Sequence, residues 1–201
     1  MAALVAGLAA TATPAIPTAA AKPQLSCPTP TLLQPYELLG DSRWYELAPG
    51  ASFEDGAAGW TLKGGTTLVA GNEPWYLNSA TDKSSLSLPP RAVATSPVMC
   101  VDITYPTFRF PVRSLDPAGQ TDLDIEVRYP DAADSSWKKV RTESGKLEDG
   151  WRITSDVDLK PDTYSGEAGQ RRVVFRFSAR GKLGDPGWRI DDIYVDPRLR
   201  G

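Results

Sequence analysis

The sequence predicts an all-β protein, one antiparallel β-sandwich domain, and three observations point there. From Arg43 onward, short runs alternate apolar and polar residues with a period of two. Gly, Pro, Asn and Asp punctuate those runs. Beyond the Ala-rich N-terminus, no segment carries a helical period or an internal repeat. A chain of 201 residues with 41% hydrophobic residues is long and apolar enough for one well-filled core.

Residues 1–21, MAALVAGLAATATPAIPTAAA, are apolar and uncharged and end in Ala19-Ala20-Ala21. That small-residue ending suits a signal peptide or apolar leader, although no basic residue precedes it; an Ala/Pro/Thr linker is the alternative. Pro14 and Pro17 interrupt the run, so no membrane span is expected. Residues 22–42 carry Pro23, Pro28, Pro30 and Pro35 and read as an N-terminal arm rather than an element. The sandwich is expected over 43–197, with a short tail at 198–201.

Within the sandwich, about ten strands are expected at this spacing. Trp60–Val69 reads as a hairpin turning at Gly64-Gly65, and Ser85–Leu88 as a strand stopped by Pro89-Pro90. Leu123–Tyr129, Arg172–Phe177 and Trp188–Val195 are the clearest strands. Alternation assigns Phe53, Trp60, Leu62, Leu86, Leu88, Phe108, Phe110, Leu123, Ile125, Val127, Phe175, Phe177, Ile190, Ile193 and Val195 to the core, with Trp188.

Composition excludes several chemistries. The net charge of -3 gives no basic field for nucleic acid. With no histidine there is no Ser-His-Asp triad, Cys-His pair or imidazole zinc site. The two cysteines, Cys27 and Cys100, cannot form a four-thiolate site; in an exported chain they read as one disulfide pinning the arm. Carboxylates are plentiful, but nothing fixes two at a glycosidase separation, so no enzyme is expected.

Three stretches carry a resemblance. Pro49-Gly50-Ala51-Ser52-Phe53-Glu54-Asp55-Gly56-Ala57-Ala58-Gly59-Trp60 resembles the opening of jelly-roll carbohydrate-binding modules, Asp82–Leu88 their middle strand, and Trp188–Val195, with its Ile-Asp-Asp core, their closing strand. The order and spacing resemble the galactose-binding-like fold from about residue 43 to 197. The chain is also similar to secreted actinobacterial proteins, a likeness that supplies no function. The resemblance implies a structural Ca²⁺ held by Glu54 and by Asp191 or Asp192 with backbone carbonyls. In a regular strand the two aspartates point to opposite faces; alternatively, Asp192 caps an amide or pairs with Arg189.

Two further groups are candidates for a ligand. Arg109, Arg113, Asp124, Glu126, Arg128, Arg172 and Arg176 all point away from the core positions. If their strands are neighbours, they share one charged face, which serves sugar hydroxyls or forms a cross-strand salt-bridge ladder. Outside the core pattern lie Trp44, Tyr45, Trp75, Tyr76, Tyr105, Trp137 and Trp151; Trp75 and Tyr76, in a loop near the rim, are the best pair for stacking on a sugar. The expected function is a secreted, non-catalytic, carbohydrate-binding-like sandwich with a glycan or a cell-surface protein as partner. The alternative is a structural or adhesive extracellular protein that docks on a partner or on itself.

Overall fold

A computed structural model describes residues 27–102, 107–145, 150–159 and 170–196. The leader, the C-terminal tail and Tyr105 lie outside the described residues. In chain order the strands are β1 (Leu32–Leu33), β2 (Tyr45–Leu47), β3 (Thr61–Lys63), β4 (Thr67–Ala70), β5 (Ser84–Leu88), β6 (Val93–Thr95), β7 (Met99–Asp102), β8 (Thr107–Arg109), β9 (Pro111–Ser114), β10 (Asp122–Arg128), β11 (Lys138–Ser144), β12 (Gly150–Ile153), β13 (Val157–Asp158), β14 (Gln170–Arg180), β15 (Trp188–Ile190) and β16 (Tyr194–Asp196). The one helical turn among the described residues is a 3-10 turn, Glu37–Leu39.

These strands form two antiparallel layers. The first runs β11-β10-β14-β6-β3, with β7 also paired to β14. The second contains β12-β9-β15-β5-β4 and β1-β2-β16-β8-β13. The stretches 107–114, 150–158 and 188–196 thread both of its parts, so it is one layer whose long strands break partway. Successive strands cross between layers, as from β5 to β6, β9 to β10 and β14 to β15, giving a jelly-roll sandwich.

The layers meet on aromatic rings. Phe108 lies 5.1 Å from Phe175 and Phe110 5.2 Å from Phe177, centroid to centroid. Phe177 also stacks on Trp60, whose indole N–H donates to the Pro49 carbonyl at 2.9 Å. The alternation assigned the core well: every position named above is buried except Leu62, which packs partly exposed against it.

The structure departs from the sequence reading at four places. Trp60–Val69 is not a hairpin: β3 pairs with β6 in the first layer and β4 with β5 in the second. Gly64-Gly65 carries the chain between layers instead of folding it back. A Cβ on Gly64 would meet the Arg91 carbonyl oxygen at 2.6 Å, and its φ is +69°. Gly64→Ala is expected to cost about 1–2 kcal/mol from the left-handed backbone alone, measurable by urea unfolding; an unchanged midpoint would contradict this turn. Second, the strands are more numerous because long ones are interrupted, most visibly at 191–193. Third, the arm does hold structure. It contributes β1 and the 3-10 turn, and Tyr36 is fully buried against Tyr45 and Tyr194. Fourth, the outward charges divide between both outer faces, as described below.

The arm is fastened twice. Cys27 and Cys100 form a disulfide, tying it to β7, with Cα atoms 5.8 Å apart. Asp41 then accepts hydrogen bonds from Arg43, Arg109 and the Tyr45 hydroxyl, each at 2.7 Å. The Arg43 guanidinium beside it holds the Asp41 carboxyl well below the usual carboxylate range.

Candidate functional site

The closing strand makes the first unusual site. Its first half, β15, pairs with β5, and its second half, β16, with β2. Between them the chain must change partner, and it leaves the regular strand at Asp191-Asp192-Ile193. Asp191 N–H still bonds the Pro111 carbonyl at 3.1 Å, and the Ile193 carbonyl accepts Ala48 N–H at 2.8 Å. Asp192 takes a left-handed φ of +38°. Strand alternation therefore fails here, and both aspartates are completely buried, contrary to the expectation that they point to opposite faces. The pairing with Arg189 does not form, since that guanidinium donates to the Ala70 carbonyl; the backbone amide that approaches the Asp192 carboxylate is that of Asn78.

Other carboxylates surround this bulge. Buried Glu73 accepts the Trp75 and Leu77 amides, both at 2.5 Å. Its own amide donates to Asp191 at 3.3 Å, and Asp191 also accepts the Asp192 amide at 3.0 Å. Asp82 accepts the Asn78 side-chain amide at 2.9 Å. Glu54 takes the amides of Lys83 and Ser84 at 2.9 and 2.6 Å. Burial first, then the charge of Asp192, pushes the Asp191 carboxyl up to about 9. Burial first, then the charges of Glu73 and Asp82, pushes Asp192 up to about 8. Among the described residues no three His, Cys, Asp or Glu side chains are grouped so as to hold a metal ion. Asp191 and Glu73 accept backbone amides on both carboxylate oxygens, whereas Glu54 accepts both of its amides on Oε1 and Asp82 is bonded through Oδ2.

This concentration of buried acid is electrostatically costly. A buried carboxylate is among the costliest groups in a protein unless something neutralises it. Glu73 and Asp82 were missed from the sequence. They lie in the 71–83 loop between β4 and β5, with no periodic pattern to mark them.

The second site is the outer face of the first layer. On β10, Leu123, Ile125 and Val127 enter the core, so Asp122, Asp124, Glu126 and Arg128 face outward. Arg176 crosses from β14 to Glu126 in a two-pronged pair, both bonds 2.6 Å. Asp124 accepts the Thr142 hydroxyl at 2.6 Å, lies 3.5 Å from Lys139 Nζ and is bridged by Arg180. Although directed outward, Asp124 is only 2% exposed, because those side chains close over it. Half-buried Trp137 completes the face, with the Arg176 and Arg128 guanidinium carbons 4.2 and 4.9 Å from its ring centre.

The predicted charged face is therefore split. Asp124, Glu126 and Arg176 come together on this layer. Arg109 and Arg113 do not join them: they lie on β8 and β9 of the other layer. Their strands are not neighbours of β10 or β14, so alternation aims them at the opposite side of the sandwich. Arg109 is engaged with Asp41, the Thr154 carbonyl and the Tyr36 ring. Arg180 and Lys139 were missed, although Arg180 continues the four-residue spacing of Arg172 and Arg176.

The aromatic candidates also separate. Trp75 and Tyr76 sit in the 71–83 loop, where the Glu73 carboxylate holds the backbone. Tyr76 is 51% exposed, with a left-handed φ of +53°; Trp75 is half-buried. Tyr45, expected outside the core, is fully buried in the tyrosine cluster.

No family model matches the chain, and no curated relative matches it in sequence. Among solved structures, the chain is similar to TmCBM61 in complex with β-1,4-galactotriose, at 14% identity over 77% of this chain and 98% of that one, TM-score 0.43. It is similar to the C-terminal family 22 carbohydrate binding module of Clostridium thermocellum Xyn10B, at 12% identity over 73% and 90%, TM-score 0.44. It is also similar to a family 43 arabinoxylan arabinofuranohydrolase from Bacillus subtilis, at 19% identity and TM-score 0.43 over 66% of this chain, but spans only 24% of that chain. At these identities and scores the likeness assigns no ligand, and the chemistry of both sites is read from their own residues.

Proposed function

We propose that the protein is an exported, non-catalytic glycan-binding sandwich whose ligand lies on the outer face of the first layer. The observation that carries this is Asp124: an outward-facing carboxylate nearly closed off from water, beside the Glu126–Arg176 pair and the Trp137 ring. Planar bidentate groups, a carboxylate and an aromatic surface on one face are the set that sugar hydroxyls and ring C–H groups use. The same charges now satisfy one another across strands, so binding would exchange some of those contacts for sugar hydroxyls. A disulfide fits the oxidising compartment that export implies.

A Ca²⁺ ion completes the proposal. Asp192 would supply a carboxylate, with Asp191, Glu54, Glu73 and Asp82 as the surrounding acidic shell and carbonyls filling the remaining positions. Bound there, the ion would neutralise the bulge and steady the loop carrying Trp75 and Tyr76, a second place for a sugar ring.

The test is calorimetric titration of the chain with a panel of plant and bacterial cell-wall oligosaccharides in calcium. Trp137→Ala and Glu126→Ala are each expected to weaken binding by roughly tenfold or more, about 1.4 kcal/mol. Tyr76→Ala separates the two surfaces, since only a ligand on the 71–83 loop would respond to it. Silence across the panel, with a folded protein, would overturn the glycan reading in favour of a structural or adhesive role.

A further inference from the structure

The first-layer face is layered by charge. Its carboxylates lie low, with the Asp124 side chain 3% and that of Glu126 17% exposed. Its cations stand above them, with Arg180 64% and Lys139 50% exposed. Asp122, Asp124 and Glu126 are outnumbered on this patch by Lys139, Arg128, Arg176 and Arg180, on a chain whose net charge is -3. A plain salt-bridge ladder would leave pairs matched. Here Asp124 serves two cations at once, and Arg128 pairs with no carboxylate among the described residues. Arg128 rests against Trp137 with its buried Nε–H lacking any hydrogen-bond partner.

The Nε–H is closed off from solvent, so what partly exposed Arg128 offers a planar anion is the terminal N–H groups of a guanidinium that no carboxylate among the described residues neutralises. A carboxylate takes two parallel N–H bonds from such a fork, and a neutral hydroxyl does not. We propose that the ligand of this face is an acidic glycan chain whose sugars carry carboxylates, one received by Arg128 beside Trp137 and another by Arg180, which stands opposite Asp122 at the far end of β10, roughly 20 Å along the strand. This rests on the glycan reading above and narrows it to uronate-bearing chains.

Four probes test it by calorimetry on the full chain: an oligogalacturonate, its methyl ester, a neutral galactan oligomer and sulfated dextran. The oligogalacturonate is expected to bind at least about tenfold more tightly than its ester, and Arg128→Ala to remove most of that preference. Arg180→Ala, at an exposed position, gives the same reading if Arg128→Ala perturbs folding. Equal affinity for acid and ester overturns the inference, as does full affinity in both arginine variants. Equal affinity for sulfated dextran means general polyanion attraction, which also overturns it. Binding of the neutral galactan alone overturns the uronate inference but leaves the glycan reading standing. Silence toward all four overturns this inference, and the cell-wall panel above then judges the glycan reading separately.

Discussion

Calcium added to chelator-treated protein is expected to raise its melting temperature by roughly 5–10 °C at a hundredfold excess over Kd, from about 2.7 kcal/mol of linkage in a domain of this size. The reason is the bulge at 191–193, which buries two adjacent carboxylates and sets Asp192 against the charges of Glu73 and Asp82. Asp192→Asn removes that charge while keeping its shape. It should abolish the calcium response and, without metal at pH 8, leave the protein as stable as the parent or more so. A merely structural Asp192 would instead lose stability in both conditions.

The same carboxylates predict a pH dependence with a definite sign. Without metal, Asp191 and Asp192 hold their protons in the folded state until about pH 9 and 8, whereas unfolded aspartate releases them near pH 4. Between those limits the folded state binds more protons, so stability falls as pH rises. The contribution is fully present below about pH 4 and is lost progressively toward pH 8–9. Calcium competes with those protons, so its stabilising effect should grow from pH 5 to pH 8. Urea unfolding at both pH values, with calcium and with chelator, checks this; a flat profile without metal and no calcium response would remove the cation from the site.

Breaking the Cys27–Cys100 bridge is expected to cost about 4 kcal/mol in the chain-entropy model, since the cysteines lie 73 residues apart in sequence. The bridge holds the arm, and the arm supplies Tyr36 to the tyrosine cluster and Asp41 to Arg43 and Arg109. Cys27→Ser with Cys100→Ser should therefore lower the denaturation midpoint and speed proteolysis within the arm before the sandwich is cut. A loss under about 1 kcal/mol would mean that the arginine–aspartate contacts, worth about that much near a surface, already hold the arm unaided.

Particular residues show how far the pattern of the chain reaches. Leu123, Ile125 and Val127 alternate with Asp124, Glu126 and Arg128, and alternation alone places them in and out of the core. The cysteine pairing was legible because only two thiols exist. Glu73 and Asp82 were not legible: a loop has no period, and their meaning comes from the distant Asp191 and Asp192. Trp137 gave no local sign that Arg176, from a strand distant in sequence, would lie against it.

Residue order thus specified a β-sandwich, its inward-facing side chains and its disulfide, because a period of two and a count of thiols are local properties of the chain. It did not specify which strands are neighbours. Pairing depends on how both layers close around the core, so Gly64-Gly65 became a crossover, Arg109 and Arg113 parted from Asp124 and Glu126, and the closing strand changed partners at Asp191-Asp192. Both candidate sites owe their existence to those long-range pairings: one is a buried carboxylate cluster at a change of partner, the other a charged face assembled from strands far apart in the chain.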